Sequence, residues 1–345
     1  MPARSADIDA VYAVSAGKFR RYHSESWLKQ VSDIRTVALN IRDAFRVLAG
    51  LLQAHFLLKR LKPDVIFIKG GFVGVPVGLA AGRLHIPFIT HDSDAIPGLA
   101  NRLIAKYAAK HAVALPTEVY SRFYPLHKTV TVGVPVRPEY RRVTPGIQAE
   151  YRKKLDLPAV APVLFVTGGG LGAQHVNEAV IASSPALFET FPELHILHAA
   201  GRANTDAVAG EYTRVLTPDL RQQVQVFGYL DDMYAYSGAA DVVITRAGAT
   251  TLADLAVQGK ACIVIPNPYL TAGHQLKNAE YLQEHQAVVE LAESDLDTPE
   301  PLTAAARDLL GDPKHREALE EAFTVFGNTD AAHRLAELLL DEVQG

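Results

Sequence analysis

The sequence predicts an α/β protein of two Rossmann-like domains that face each other, each built on a parallel sheet. Three observations predict it. Short apolar runs alternate with helical patterns along most of the chain, which is the rhythm of βαβ units. A length of 345 residues is long for one domain and suits two of ordinary size. Each half also holds a strand that empties into glycines before a helix, IKGGFVG at 68–74 and VTGGGLGAQ at 166–174.

The candidate strands of the first half are DAVYAVS (9–15), DVIFIKG (64–70), IPFITH (86–91), AVALP (112–116) and TVTVGVP (129–135). Helical patterns fall between them near 35–60, 73–84 and 98–111. The second half offers PVLFVTG (162–168), LHILHAA (194–200), VQVFGYL (224–230), DVVITR (241–246), ACIVIPN (261–267) and AVVELAE (287–293). Helices are expected near 173–189, 249–258 and 274–285, and beyond 298 the pattern is helical only. Three prolines, a charge cluster and a glycine break the periodicity in VPVRPEYRRVTPG, 134–146. The expected domains are therefore 1–135 and 136–328, followed by a C-terminal helix at 329–345 that can pack back on the first. The first candidate strand begins almost at Met1. The first domain is thus expected to lack a leading strand and its Gly-rich turn.

Composition narrows the function. The chain is 48% hydrophobic, enough for substantial cores, and its net charge of −4 gives no global pull toward nucleic acid. A single cysteine, Cys262, excludes disulfide frameworks and cysteine-based metal sites, and it suits a reducing cytoplasm. The amino terminus has no long apolar segment of the signal-peptide kind. The most apolar helical run, VLAGLLQAHFLL from Val47 to Leu58, contains Gln53 and His55 and is shorter than the roughly 20 residues that cross a bilayer. A soluble or peripheral protein is expected.

Two stretches could hold an anion. VTGGGLGAQHVN places Gly169, Gly170 and Gly172 between a buried strand and a helix. Bare amides at a helix start favour negative charge. A dinucleotide fingerprint would also want an acidic residue closing the next strand, but LHILHAAG ends in alanines and glycine. A ligand-free tight turn is the third reading. TRAGATTLADLAVQG, 245–259, is the second stretch. Gly248, Ala249, Thr250 and Thr251 leave a helix start open to a phosphate, and Asp254 lies one turn further on. There it could accept hydrogen bonds from sugar hydroxyls, or simply complement the helix dipole.

Other residues are open to two readings. His274 and Gln275 begin a helix after a Pro- and Gly-rich loop, where they either meet sugar hydroxyls or are a solvated helix start. Asp92-Ser93-Asp94 in HDSDAIPGLANR reads as a D-x-D metal motif, a helix cap or an acceptor contact. Arg102, Lys106 and Lys110 recur at i, i+4 on one predicted helical face. That stripe is either solvated surface or a rest for anionic lipid headgroups, each cation contributing about 1 kcal/mol. His195 and His198, inside an apolar strand, read as core or edge residues. No H-E-x-x-H and no G-x-S-x-G occurs.

Taken in order, these segments resemble glycosyltransferase family 28, the GT-B enzymes that form lipid II in peptidoglycan synthesis. TGGGLGAQHVN is similar to the family's G-G-S-Q-G-A-R segment. FGYLDDMYAYSGAADVVITRAGATTLADLAVQGKACIVIPNP, followed by HQLKNAEYL, is similar to its nucleotide-sugar signature over nearly the whole length. KGGFVGVP and HDSDAIPGLANR resemble its G-G-Y-V-S-G-P and H-E-Q-N-x-x-x-G-x-x-N segments. The resemblance implies transfer of N-acetylglucosamine from UDP-N-acetylglucosamine to a lipid-linked muramoyl-pentapeptide, inverting and without metal or cofactor, at the inner face of the cell membrane.

By that resemblance Arg137 and the strand end at Gly228 to Leu230 line a uracil pocket. Gly248, Ala249, Thr250 and Thr251 hold the diphosphate, Asp254 meets the ribose, and Gly169, Gly170 and Gly172 line the cleft. His274 and Gln275 read the N-acetylglucosamine hydroxyls, supported by Asn278. Gly70, Gly71, Asp94 and Asn101 belong to the acceptor side, with His91 and Asp92 as candidates for the general base. The family has Glu at the position of Asp254, and Glu and Asn at those of Asp92 and Asp94. Its first motif, G-G-T-G-G-H, has no counterpart here, so a partner chain supplying that segment is a corresponding expectation.

Overall fold

The computed structural model describes residues 8–17, 34–168, 173–270 and 273–344. The chain divides into two compact units, one of residues 1–92, 97–131 and 335–345, the other of residues 93–96 and 132–334.

In the first unit a long helix, α1 (Ile34–Leu61), leads to β1 (Ile66–Ile68), α2 (Gly74–Leu84), β2 (Phe88–Asp92), α3 (Leu99–Ile104), β3 (Lys110–Val113) and β4 (Thr129–Thr131). The four strands pair in chain order and all run parallel. Ala54, Leu58, Ile68, Ala80, Ala81, Phe88 and Ile104 form the core beneath this sheet.

Two expectations change here. DAVYAVS is not a strand: residues 8–17 carry no regular structure, Val11 and Tyr12 are exposed, and only Val14 packs on the core. An apolar run of strand composition needs a neighbouring ladder, and this one has none among the described residues. The helix predicted over 98–111 ends at Ile104 and is followed by a single tight turn, Ala105–Tyr107. Ala108 is already extended, and Lys110 opens β3. Arg102, Lys106 and Lys110 therefore do not form a helical stripe.

The second unit contains α4 (Pro145–Lys154), β5 (Val163–Thr167), α5 (Gln174–Thr190), β6 (His195–Ala199), α6 (Thr205–Val215), α7 (Pro218–Arg221) and β7 (Val224–Phe227). It continues with α8 (Met233–Ala239), β8 (Val242–Thr245), α9 (Ala249–Gln258), β9 (Ala261–Val264), α10 (His274–Glu284) and β10 (Val289–Glu290). The helices α11 (Glu300–Gly311), α12 (Pro313–Thr324) and α13 (Ala331–Gln344) close the chain. The sheet is all parallel, in the order β10-β9-β8-β5-β6-β7. That is a doubly wound order, and it reverses between β5 and β8.

Successive side chains of a strand point to opposite faces, so both faces must be covered. On one face Leu164 and Val166 of β5 pack with Val176, Val180, Leu302 and Leu309. On the other, Val163 and Phe165 pack with Leu252, Leu255, Cys262 and Phe323. Burial pushes the Cys262 thiol upward, which leaves it inert core. His198 is also core: fully buried, it meets the Tyr212 hydroxyl at 2.9 Å and Asn177 Oδ1 at 3.0 Å, and burial lowers it to about 3.

Candidate functional site

Ligands of doubly wound sheets bind outside the carboxyl ends of the strands, near the point where the order reverses. A pocket of about 260 Å³ lies there in the second unit. Its walls come from the ends of β5 (Thr167), β6 (Ala199, Gly201) and β7 (Gly228 to Asp231), from Arg137 and Tyr140, and from Thr251 and Asp254 of α9. Gly228 is needed for close packing: a Cβ there would stand 2.7 Å from Thr205 Oγ1.

Helix α9 starts at the edge of this pocket. Its cap residue, Gly248, has φ −74° and ψ 126°, so the backbone does not require glycine. A Cβ at Gly248 would meet nothing within 4 Å. Space, not conformation, is what glycine preserves. No side chain caps the helix, and its first backbone bond runs from the Leu252 amide to the Gly248 carbonyl at 2.9 Å. The amides of Ala249, Thr250 and Thr251 thus precede the helical ladder, and the helix dipole adds partial positive charge.

Asp254 is 8% exposed and faces the pocket. Burial raises its carboxyl to about 6, against the opposing pull of the Arg137 charge and a hydrogen bond from Tyr140. Tyr140, which the sequence reading missed, is itself pushed up to about 12 by burial and the Asp254 charge. The Arg137 guanidinium lies 5.6 Å from the Tyr140 ring centre and reaches the Asp231 carbonyl at 3.4 Å.

The start of α10 carries the second polar group of this unit. Gln275 Oε1 accepts from the Asn267 amide at 2.9 Å and so fixes the loop after β9. Asn278 is 6% exposed. It accepts from the Ala95 amide at 2.8 Å and donates to Asp94 Oδ1 at 2.8 Å and the Ala247 carbonyl at 3.0 Å. His274 Nδ1 is buried without a hydrogen-bond partner and stands 3.9 Å from Asp94 Oδ2. Asp94, assigned above to the acceptor side with the first domain, thus sits among the residues of the second unit. The two carboxylates of the D-x-D pattern are committed to different partners. Among the described residues no group of three His, Cys, Asp or Glu could hold a metal ion.

A buried ion pair has its arginine just before α9 in the chain. Arg246, 8% exposed, bonds both oxygens of Glu293 (Nη2 to Oε1 at 3.0 Å) and the Ile265 carbonyl at 3.2 Å. His175, in the first turn of α5, meets the same carboxylate at 3.1 Å. Although burial opposes it, Arg246 and His175 hold the Glu293 carboxyl below its ordinary range. Gly169, Gly170 and Gly172, expected beside this turn, lie outside the described residues.

In the first unit, Asp92 is 5% exposed and both of its oxygens are occupied. Oδ1 accepts from the Gly98 amide at 2.9 Å and Asn101 Nδ2 at 3.0 Å, and Oδ2 accepts from the Tyr124 hydroxyl at 2.7 Å. Burial still raises its carboxyl. This geometry makes Asp92 the anchor of the loop before α3 rather than an open base. His91 is 1% exposed, and its carbonyl accepts from Asn101 at 3.0 Å. Gly70 (φ 106°) and Gly71 (φ 82°) take left-handed conformations that favour glycine, and the Asn101 amide lies within 4 Å of where a Gly70 Cβ would be. Arg102 lies over the Phe123 ring and Lys106 over that of Tyr107.

The glycosyltransferase family 28 N-terminal domain matches residues 11–113, and the family 28 C-terminal domain matches residues 163–335. The UDP-N-acetylglucosamine--N-acetylmuramyl-(pentapeptide) pyrophosphoryl-undecaprenol N-acetylglucosamine transferase of Lachnospira eligens is 36% identical over 302 residues, covering 87% of this chain and 77% of its own. The protein of the same name in Citrifermentans bemidjiense is 33% identical over 319 residues, covering 92% and 84%. The crystal structure of Acinetobacter baumannii MurG superposes with a TM-score of 0.68 at 25% identity, covering 86% of this chain and 80% of that one. The protein class defined by these two parallel-sheet units is the GT-B glycosyltransferase. Within that class, this chain belongs to glycosyltransferase family 28.

Proposed function

We propose that this enzyme transfers N-acetylglucosamine from UDP-N-acetylglucosamine to undecaprenyl-pyrophosphoryl-N-acetylmuramoyl-pentapeptide, turning lipid I into lipid II, with inversion and without a metal. The observation that carries the donor half is the uncapped start of α9 beside a pocket closed by a buried carboxylate. The uracil enters between Arg137 and the end of β7, and Asp254 accepts from the ribose. The diphosphate lies against Gly248, Ala249, Thr250 and Thr251. His274 and Gln275 face the sugar, with Asn278 holding the α10 start to Ala247 and Asp94. As the glycosidic bond to UDP breaks, charge grows on the leaving diphosphate, and the preset α9 amides stabilise it without reorganising.

The acceptor is assigned to the first unit, at Gly70, Gly71 and Asn101. His91 and Asp92 hold that loop in shape: the one is buried, and the other has both oxygens filled. A polyprenyl acceptor places the reaction at a membrane surface, on the cytoplasmic side where the nucleotide sugar is found. Among the described residues no helix is long and apolar enough to cross a membrane. Leu103 and Tyr107 are exposed beside Arg102 and Lys106, a mixture suited to an anionic lipid surface.

Calorimetric titration with UDP-N-acetylglucosamine tests the donor half. Saturable binding that free UDP displaces is expected. No heat from a chain with a folded circular dichroism spectrum would remove this reading.

A further inference from the structure

Glu293 opens the tight turn Glu293–Asp297, shortly after β10. Its carboxylate gathers groups from the carboxyl ends of two further strands and from the helix after a third. Arg246, the residue after β8, donates to both of its oxygens, with Nη2 at 3.0 Å from Oε1. The same guanidinium donates through Nη1 to the carbonyl of Ile265, the residue after β9, at 3.2 Å. His175 Nδ1, in the first turn of α5, stands 3.1 Å from Oε1, and its Nε2 lies 3.6 Å from Asp297 Oδ1. The residue after Arg246 is held too: the Ala247 carbonyl accepts from Asn278 at 3.0 Å. Both residues that precede Gly248 are therefore pinned by polar contacts.

We propose that Glu293 is a positioning residue for the donor diphosphate: through Arg246 it fixes the turn between β8 and α9, so that the amides of Ala249, Thr250 and Thr251 meet the phosphates already aligned. This rests on the donor-site reading. A buried ion pair adds little net stability, because desolvation cancels most of the attraction and apolar side chains of equal volume serve as well. What it adds is direction. A guanidinium fork and a carboxylate bond in a fixed planar geometry, and the Ile265 carbonyl gives Arg246 a third point of attachment. No side chain caps α9, so the placing of its first amides depends on the turn before it. Amides that need not reorganise bind an anion more strongly than amides that must first be ordered. The uracil end of the pocket is built from Arg137 and the ends of β6 and β7, not from the residues that Glu293 bonds. Loosening Glu293 is therefore felt at the phosphates and not at the base.

The test titrates UDP and uridine against the full chain by ligand-detected NMR, in the wild type, Glu293→Gln and Arg246→Lys. The wild type should bind UDP more tightly than uridine, since only UDP reaches the α9 amides. Glu293→Gln removes the carboxylate charge. Arg246→Lys keeps the charge balance but replaces the planar fork by a rotatable point charge, and it decides the matter if Glu293→Gln folds poorly. In both variants UDP should weaken about tenfold, the size of one charge-assisted hydrogen bond, while uridine stays within about twofold. A circular dichroism spectrum matching the wild type excludes misfolding as the cause. Equal weakening of UDP and uridine would mean a merely structural ion pair and would overturn the proposal; so would an unchanged UDP affinity in a folded variant. A wild type that binds neither ligand overturns the donor-site reading itself, a result distinct from the other two.

Discussion

Replacing Asp254 by asparagine should make the chain more stable and, at the same time, a poorer donor binder. Burial raises the Asp254 carboxyl from its ordinary 3.8 to about 6. A shift of about two units corresponds to roughly 3 kcal/mol. Its sign follows from which state holds the proton more tightly. The folded chain does, so protonation favours folding, and the ionised carboxylate costs stability at every pH above about 6. That cost fades as the pH falls from about 6 to 3.8 and is absent below. Asparagine has nearly the same shape and no charge, so the variant should gain about 1–3 kcal/mol at pH 8, the lower end allowing for an imperfect bond with Tyr140. Urea denaturation followed by circular dichroism, at pH 8 and at pH 5, reads the gap between variant and wild type. The gap should be largest at pH 8 and should shrink at pH 5, while calorimetry at pH 8 shows weaker UDP binding. A variant less stable than wild type at pH 8, or a gap independent of pH, would refute the reasoning. The physical content is a site that gives up stability to keep a charge where the ligand needs it.

Three further predictions follow from the same geometry. Gly248→Val should cost the fold only about 1 kcal/mol, the loss of a favourable cap residue, since a Cβ there meets nothing within 4 Å, yet it should lower UDP affinity at least tenfold by standing where the diphosphate lies. Thermal melting and calorimetry on one preparation check both parts. Glu293→Gln leaves the buried Arg246 guanidinium without its counter-charge and should destabilise the chain by about 3 kcal/mol, read by urea denaturation. Tyr124→Phe removes the donor to Asp92 Oδ2 and should cost about 1–3 kcal/mol, with faster hydrogen exchange at the Gly98 amide that Asp92 holds.

What could be read from the sequence depended on how far apart the interacting residues lie along it. The α9 start was legible because Gly248 to Asp254 are contiguous and carry their own geometry. The strands β5, β8 and β9 were legible because doubly buried strands are continuous apolar runs. Tyr140 and Glu293 were not, since their partners Asp254 and Arg246 are brought to them only by the fold; Glu293 and Arg246 are 47 positions apart. The proximity of Arg137 to Tyr140, three positions on, was the one available signal. Asp92 and Asp94 looked like a single motif because they are neighbours in sequence. In the fold Asp92 anchors the loop before α3, and Asp94 bonds Asn278 of α10. The basic stripe failed because an i, i+4 spacing was continued through Ala105–Lys110, where the helix has already given way to a tight turn and then a strand that opens at Lys110. DAVYAVS has a strand's composition, but composition does not supply a neighbouring ladder.

The central claim is a transfer reaction, and one measurement tests it most directly. The purified chain is incubated with UDP-N-acetylglucosamine and a lipid-linked muramoyl-pentapeptide acceptor in phospholipid vesicles, and the acceptor is weighed by mass spectrometry. The account predicts an acceptor heavier by one N-acetylglucosamine residue and an equal amount of UDP released, both lost in Gly248→Val. A folded wild-type chain that binds the donor but leaves the acceptor mass unchanged would contradict it.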